Sequence, residues 1–229
     1  MERARQMSES IELGIVLALA GGFMDAYSYL CRDHVFANAQ TGNLLLLGVN
    51  LAEKNWDIAL RYASPVVAFV IGIAIADIIR LRFKQLSLFH WRQIIVLCEA
   101  IVLAVVSQIP FTQNLLANSL LSFACGMQVE TFRKIRGNGI ATTMCIGNLR
   151  SATQYMCEYV MRHKKQDLEK GFLYYGIIVF FVLGAIIGNM FIKYLGRYAI
   201  AVNAALLLIT FIMMFVDKEK SNKIMRGNK

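Results

Sequence analysis

Long apolar segments dominate this chain and constrain its fold more than any other feature. Hydrophobic residues make up 57% of the 229 residues and charged residues 17%, whereas an average soluble domain is about 45–50% apolar and about 25% charged. With only 2 prolines and 16 glycines, the chain is neither linker-rich nor collagen-like. Since a membrane-spanning helix needs about 20 mostly apolar residues, the sequence predicts an all-α, polytopic transmembrane helix bundle, formed as a single membrane domain over residues 1–229.

Apolar segments follow one another along the chain in an order that repeats: long, short and polar, long, long, and then the same again. The six long segments cover residues 11–30, 62–81, 93–109, 113–131, 171–192 and 198–216. The two short segments, residues 36–52 and 140–160, are more polar. After the last long segment, residues 217–229 form a basic tail that we expect in the cytoplasm.

The order of the segments predicts an internal repeat, with copies at about residues 11–109 and 113–216. Glycines and polar residues of the first copy recur in the second at one constant spacing. The pairs are Gly21 with Gly126, Gly42 with Gly147, Asn43 with Asn148, and Asp25 with Glu130. If the two short segments do not cross the membrane, each copy has three spans, and the second copy is inverted relative to the first. The sequence therefore predicts a pseudo-symmetric inverted repeat.

The distribution of basic residues favours a topology with both termini in the cytoplasm. Lys and Arg number 24 against 15 Asp and Glu, for a net charge of +9, and loops rich in Lys and Arg stay on the cytoplasmic side. Six spans place most of these basic residues in the cytoplasm, whereas eight spans remove the bias. Seven spans with an external N-terminus keep a similar bias, so charge alone leaves six and seven open. The repeat treats the two short segments alike and therefore favours six.

Small residues recur at four-residue spacing in three of the long segments. This spacing places them on one helix face, and small residues let helix backbones approach closely in lipid. These residues are Gly14, Ala18, Gly22 and Ala26 in the first long segment, Gly72 and Ala76 in the next, and Gly184 and Gly188 in the second copy. We expect them to form helix-packing contacts.

Each short segment contains a polar, glycine-bearing stretch that is typical of a re-entrant or broken helix. In the first it is Thr41, Gly42 and Asn43, and in the second Gly147 and Asn148. Irregular backbone at membrane depth occurs only where protein or a water-filled cavity satisfies it. The beginnings of such half-helices often face ions or substrates in transporters with inverted repeats. The alternative is an amphipathic helix that lies on the membrane surface, and for residues 140–160 both interpretations stay open.

Acidic residues inside apolar segments are candidates for function, because a carboxylate at the centre of a membrane helix costs about 2.5–3.5 kcal/mol. Asp25 lies late in the first segment, and Glu130 holds the equivalent place by the repeat spacing, near Gln128. Asp77 has a simpler explanation, an ion pair with Arg80 three residues on. Glu99, one to two turns inside its segment, is compatible with a position at the membrane interface.

Motifs of enzymes, cofactor sites and metal sites are absent from the sequence. It contains no serine nucleophile elbow, zinc-protease motif, P-loop or dinucleotide-binding motif. The 5 cysteines form no CxxC and the 3 histidines stand apart, so neither a disulfide framework nor a metal site is expected. No nucleic-acid-binding module is recognisable. We therefore expect no enzyme, no cofactor and no nucleic-acid partner.

Two stretches of the first half resemble the YoaK family of small bacterial integral membrane proteins. They are Gly-Gly-Phe-Met-Asp-Ala at residues 21–26 and Val-Phe-Ala-Asn-Ala-Gln-Thr-Gly-Asn at residues 35–43. The second half is similar at residues 126–128, 141–143 and Gly147. The chain departs from the family at Val129-Glu130, where Asn-Ala is more usual, and at Ile146, where threonine is common. The resemblance spans nearly the whole chain and implies a location in the bacterial cytoplasmic (inner) membrane, but no established activity.

These features predict a permease or exporter for a small molecule or ion, with proton coupling as one version of the hypothesis. Asp25 would hold the proton or cation, and the path would be lined by the helix beginnings together with Gln128 and Glu130. The alternative is a non-transporting membrane scaffold or assembly partner, which the packing faces and the lack of a substrate signature favour. The expected partners are the lipid bilayer, an unidentified small solute or ion, and a second copy in a homo-oligomer.

Overall fold

The computed structural model describes residues 10–83 and 91–227, with side chains described up to residue 214. The α helices are α1 (Ile11–Cys31), α2 (Gln40–Ala52), α3 (Trp56–Phe83), α4 (Trp91–Gln108), α5 (Asn114–Thr131), α6 (Cys145–Arg162), α7 (Lys165–Leu195) and α8 (Ala199–Gly227). Strands β1 (Lys134–Ile135) and β2 (Asn138–Gly139) form a small antiparallel hairpin before α6. The basic side chains of the predicted tail, residues 217–229, lie outside the described residues.

The helices follow the predicted apolar segments but differ from them at their ends. The helix α3 begins at Trp56 and α7 at Lys165, each several residues before its apolar segment, because a helix continues through charged residues that remain in water. The helix α1 begins where predicted, after Ser10, whose side chain accepts a hydrogen bond from the Leu13 amide at 3.1 Å. The beginnings of the short segments are non-helical chain, with bends at Ala37 and Asn38 and a turn at Thr142 and Thr143. We call them the extended segments; because of them, α2 and α6 are shorter than predicted at their N-terminal ends.

Two pairs of long helices cross so closely that their backbones touch. A Cβ atom at Gly22 of α1 would overlap the backbone of Phe181 in α7, and one at Gly184 would overlap that of Leu19. The helices α3 and α5 meet in the same way, with Gly72 against Phe123 and Gly126 against Phe69. Glycine is required at all four positions, because any side chain would push the helices apart.

The remaining small residues of the predicted packing faces differ in their surroundings. Gly14 faces Ile135 and Gly188 faces Phe23. Ala18 and Ala76 are fully buried. Ala26 borders the cavity described below.

The long helices alternate in direction between two ends of the bundle. We call the end where α1 begins the N-terminal end. At the opposite end, Asn114 at the beginning of α5 donates to Asp33 at 2.8 Å, and Tyr27 donates to the Arg197 carbonyl just before α8 at 2.8 Å. Gly14 lies beside Ile177, so α7 runs parallel to α1. The helix α3 packs parallel to α5. The order of the connections then gives consecutive long helices opposite directions.

Arg32 ties the opposite end of the bundle together, although the sequence analysis gave it no role. It is fully buried and donates to the Tyr27 hydroxyl at 2.9 Å and the Ile109 carbonyl at 2.8 Å. It also donates to Asn114 Oδ1 at 3.0 Å. A buried guanidinium is tolerated because its donors are satisfied, and it anchors the end of α1 to the turn between α4 and α5.

The first short helix starts in the middle of the bundle. Residues 35–39 fold back along α1, where the Ala37 amide donates to Ser28 Oγ at 3.0 Å and the Asn38 amide to Asp25 Oδ1 at 2.7 Å. The Asn38 side chain also donates to the Gly21 carbonyl at 3.0 Å. The helix α2 then leads back to the opposite end, where α3 begins. The extended segment therefore enters the bundle from the end opposite the beginning of α1, and α2 returns to that same end.

The second short helix has the same arrangement, starting from the N-terminal end. The extended residues before α6 reach the middle of α1 and α5, where Gln128 donates to the Leu17 carbonyl at 3.2 Å and to Thr142 Oγ1 at 3.3 Å. The helix α6 then runs back beside α7, with Thr153 Oγ1 3.2 Å from the Tyr175 hydroxyl. Both short helices therefore begin about halfway between the two ends of the bundle, where Thr41 and Gly147 are exposed.

Four helical stretches of the described residues are long and apolar enough to cross a membrane. They are Ile11–Cys31, Trp56–Phe83, Trp91–Gln108 and Lys165–Met214, the last of which joins α7 and α8. The helix α5 is more polar and contributes buried Asn, Ser and Gln side chains to the interior. An all-α membrane bundle is therefore confirmed as the fold class.

Candidate functional site

A cavity of about 830 Å³ lies where α2 and α6 begin. Its walls are one side of α1 around Asp25, the first turns of both short helices, the extended residues before them, and α7 between Phe181 and Asn189. Most of the wall is apolar, and the polar groups are concentrated at the helix beginnings. A few polar groups in a mostly apolar concave site is the usual composition of a small-molecule site.

The first turns of α2 and α6 carry no side-chain caps. Their N-cap residues are Ala39 and Met144, and neither forms a side-chain hydrogen bond to its helix. The first amide groups of a helix have no partner within it and carry a partial positive charge. Both first turns border the cavity and bring positive potential to its wall. In α2 the Gln40 amide already donates to the Asn38 carbonyl at 2.8 Å and the Gly42 amide to the Ala39 carbonyl at 2.9 Å, so most of the available donors belong to α6.

Asp25 places a carboxylate at the cavity wall and also holds the chain that leads into α2. Its Oδ1 accepts a hydrogen bond from the Asn38 amide at 2.7 Å. Its main-chain carbonyl accepts from Ser28 Oγ at 3.2 Å. The same side chain is therefore placed both to position the beginning of α2 and to contact a bound solute.

Two buried polar atoms of the cavity wall lack partners among the described residues. Asn38 is 2% exposed and Thr143 is 4% exposed, and Asn38 Oδ1 and Thr143 Oγ1 form no hydrogen bond. Both residues border the cavity. Leaving a buried polar atom unpaired costs about 1–3 kcal/mol, so these two atoms are the strongest signs of a bound molecule in the cavity.

The predicted residues of the short helices divide between the cavity and its support. Thr41 and Gly147 border the cavity. Asn43 accepts from the Phe36 amide at 3.1 Å and donates to the Phe36 carbonyl at 2.8 Å. Asn148 donates to the Ala141 carbonyl at 2.6 Å. The two asparagines therefore clamp the extended segments seven residues before them.

Gly42 packs against the ring of Phe36 rather than facing the cavity. Its close approach to that ring leaves little room for a side chain, so its place beside the clamp is structural.

The predicted polar residues of α5 lie away from the cavity wall. Gln128 is buried and holds the second extended segment through Thr142. Glu130 forms an ion pair with Arg133. A Cβ atom at Gly126 would overlap the backbone of Phe69 in α3, just as one at Gly22 would overlap that of Phe181 in α7. A Cβ atom at Gly21 would instead meet the side chain of Thr143. By this comparison Glu130 follows Gly126 by four residues, as Ala26 follows Gly22, and unlike Asp25 it does not border the cavity.

The other acidic residues of the long helices also lie outside the cavity wall. Asp77 pairs with Arg80, as predicted. Glu99 is fully buried in α4, and within residues 10–83 and 91–214 neither of its carboxylate oxygens has a hydrogen-bond partner. Glu99 therefore lies deeper in the protein than the interfacial position that its place in the sequence suggested.

The sequence analysis missed Asn38, Thr143 and the aromatic wall of Phe36 and Phe181. Asn38 and Thr143 each stand five residues before a clamping asparagine. Both also lie in stretches that carried the family resemblance, and that coincidence was the available signal.

Metal and disulfide chemistry find no support in the part of the chain that the structure describes. No group of three or more His, Cys, Asp or Glu residues there could hold a metal ion. Its five cysteines are free thiols. Among them, Cys145 borders the cavity.

Comparison with known proteins places these features in a family. The family described as "Protein of unknown function (DUF1275)" matches residues 13–213, which include α1 to α7 and most of the apolar part of α8. The UPF0700 transmembrane protein YoaK of Bacillus subtilis (strain 168) is 25% identical over 181 residues, covering 75% of this chain and 79% of YoaK. No solved structure matches the chain.

Proposed function

We propose that this chain, which belongs to the DUF1275 family of proteins of unknown function, is a permease or exporter for a small molecule or ion. Its place in the membrane is the firm premise, given its apolar helices and its similarity to a transmembrane protein. The observation that carries the proposal is the cavity at the beginnings of α2 and α6, beside Asp25.

The short helices support transport because of where they begin. Extended backbone in the middle of a membrane protein must be satisfied by protein or by a water-filled cavity. Asp25, Ser28 and Gln128 satisfy part of it, and the cavity adjoins the rest. Discontinuous helices that meet at mid-depth are a recurring construction of transporter binding sites.

We also propose six spans arranged as an inverted repeat, in the bacterial inner membrane with both termini in the cytoplasm. The alternating directions of the six long helices support this topology. The matching glycine contacts of α1 on α7 and of α3 on α5 support the repeat. Because both glycine contacts join one copy to the other, the motion that opens the cavity to each side in turn must keep α1 with α7 and α3 with α5.

Within this proposal, Asp25 binds the transported or coupling cation, with a proton as one candidate. Thr41 and Gly147 line the path. Gln128, Asn43 and Asn148 support it by holding the extended segments. Glu130 is left with a role at the end of α5, where it pairs with Arg133.

A membrane scaffold is the second candidate, and the outward face of α6 favours it. Arg150 is exposed there, and Gln154 donates to Glu158 at 3.0 Å on the same face. The outward face of α2 instead exposes Leu44, Leu45 and other apolar residues. Polar side chains are unfavourable against lipid hydrocarbon, so the outward face of α6 is suited to a protein partner, including a second copy in a homo-oligomer.

Thiol labelling distinguishes the two candidates. In a variant without native cysteines, we expect Thr41→Cys and Gly147→Cys to react with a small charged thiol reagent, because a transport cavity contains water. Leu45→Cys, on the apolar outer face of α2, is the matched unreactive control. Asn55→Cys, in the turn after α2, should react in either case. Protection of both cavity positions, with Asn55→Cys still labelled, would show a dry interior and favour the scaffold.

A further inference from the structure

We infer that the cavity binds a small apolar zwitterion, a molecule with one carboxylate, one ammonium group and a hydrocarbon side chain, as in the apolar amino acids. The inference rests on the proposed function, because it names the substrate class of the same cavity. Three parts of the wall carry it: a group of hydrogen-bond donors, a pair of acceptors and an apolar surface.

The donors lie around the beginning of α6. Its N-cap residue supplies no side-chain acceptor, so the amides of the first turn remain available to a ligand. Thr143, two residues before the helix begins, borders the cavity, and its buried hydroxyl has no partner among the described residues. Backbone amides at a helix beginning together with a hydroxyl are suited to a carboxylate.

The acceptors lie between α1 and the beginning of α2. Asp25 contributes a carboxylate. The Asn38 side chain is oriented by its own hydrogen bond, because its Nδ2 donates to the Gly21 carbonyl at 3.0 Å. Its Oδ1 is therefore left as a buried acceptor without a partner. A carboxylate beside an amide oxygen favours an ammonium group, which has three donors and no acceptor.

The balance of charge at the wall favours a zwitterion over an ion of one sign. An anion at the helix beginnings would also meet the carboxylate of Asp25 across the same cavity. A cation at Asp25 would meet the positive ends of two helices. A zwitterion places its carboxylate at the helix beginnings and its ammonium group at Asp25, so both of its charges are stabilised.

The rest of the wall selects the side chain of the solute. Phe36, Phe181, Val182 and Ile186 give the cavity its apolar surface. Burial of hydrocarbon against such a surface contributes roughly 25 cal/mol for each Å² removed from water. Tyr29, Gln40 and Asn189 also border the cavity, but most of its surface is apolar, so we expect apolar amino acids to bind more tightly than glutamate and lysine.

Equilibrium binding to the full chain in lipid nanodiscs tests the inference. The probes are radiolabelled valine, leucine, methionine and phenylalanine. The competitors are two compounds that keep the leucine side chain, isoamylamine without the carboxylate and 4-methylpentanoate without the ammonium group. We expect at least one of the four amino acids to bind, and each single-charge competitor to displace it about tenfold more weakly or worse than the unlabelled amino acid, because a charged contact is lost.

Variants assign the two charges to the two parts of the wall. Thr143→Val keeps the side-chain shape and should weaken amino-acid binding while leaving competition by isoamylamine nearly unchanged. Asp25→Asn should weaken amino-acid binding and remove the competition by isoamylamine against the label that still binds. Thr153→Val is the control, because Thr153 lies on α6 beside Tyr175 and outside the cavity wall, and it should bind as the parent chain does. Thermal denaturation of each variant shows that it is folded.

The possible outcomes separate this inference from the proposed function. Competition by 4-methylpentanoate as strong as by the amino acid would indicate an anion site, and equally strong competition by isoamylamine a cation site. Either result would overturn the zwitterion. If none of the four amino acids binds at millimolar concentrations while Thr41→Cys is labelled, the substrate class is wrong and the transport proposal survives. If binding and labelling both fail, both proposals are wrong.

Discussion

At Gly184 and Gly22 the fold depends on the lack of a Cβ atom. The helices α1 and α7 touch through backbone at these glycines, and a Cβ atom at either position would overlap the other helix. By contrast, nothing lies within 4 Å of a Cβ placed at Gly176 of the same α7. The two kinds of glycine in one helix therefore allow the contact to be tested separately from helix propensity.

Gly184→Ala is expected to lower the free energy of unfolding by about 1–3 kcal/mol, because the helices must separate to accommodate the methyl group. Gly176→Ala is the matched control and should be neutral or stabilising, since alanine favours a helix by about 1 kcal/mol over glycine. Thermal denaturation of the purified variants, followed by size-exclusion chromatography, checks both. Equal effects of the two substitutions would contradict a tight crossing at Gly184.

The two short helices show what the sequence could predict and what it could not. Their existence and their polar, glycine-bearing character were readable, because hydrophobic patterning depends on local sequence. Their extended beginnings were not readable, because Phe36, Ala37 and Ile140 are apolar enough to be counted with a helix. Hydrogen bonds to residues outside the two segments hold them in a non-helical conformation. The Ala37 amide donates to Ser28 Oγ, and the Gln128 side chain donates to Thr142 Oγ1.

The same limit applies to the match between the two halves, which stays a prediction. Gly21 and Gly22 are adjacent, so spacing alone could align either of them with Gly126. Only the backbone contacts select Gly22. The predicted equivalence of Asp25 and Glu130 depended on that choice, and of the two carboxylates only Asp25 borders the cavity. The cavity residues Asn38 and Thr143 were missed because neither is charged and nothing in the local pattern shows their burial.

Asn43→Ala is expected to loosen the extended segment before α2, because the amide and carbonyl of Phe36 both lose their partner. Loss of these bonds should cost about 1–3 kcal/mol and should accelerate hydrogen exchange across residues 35–39. Asn50→Ala is the control within the same helix, since Asn50 donates only to the Leu46 carbonyl one turn away. Unchanged exchange at residues 35–39 would show that Asn43 is not the clamp.

At the scale of the whole molecule, the alternating helix directions favour an even number of crossings. The termini then lie on one side, and the turn between α4 and α5 lies on the other. The firm part of this description is the all-α membrane bundle, because hydropathy and the helix lengths agree on it. The number of crossings depends on α5, whose buried polar residues make it too polar to be recognised by composition.

Tags at Met1, Thr112 and Lys229 test the topology in intact cells. We expect the Thr112 tag to be accessible from outside and both terminal tags to be protected. Their accessibility after permeabilisation is the control for correct display. Protection of all three sites would indicate eight crossings and a parallel repeat. Exposure of Met1 and Thr112 with Lys229 protected would indicate seven crossings.

The pairing of α1 with α7 has a consequence for how the protein is made. The helix α1 is synthesised well before α7, whose backbone packs against the glycines of α1. Until α7 is inserted, α1 remains in the bilayer or beside the insertion machinery without a packing partner for its small-residue face. Each half of the chain therefore lacks partners that only the other half supplies, and the two halves, if expressed as separate polypeptides, should be stable only when they are co-expressed.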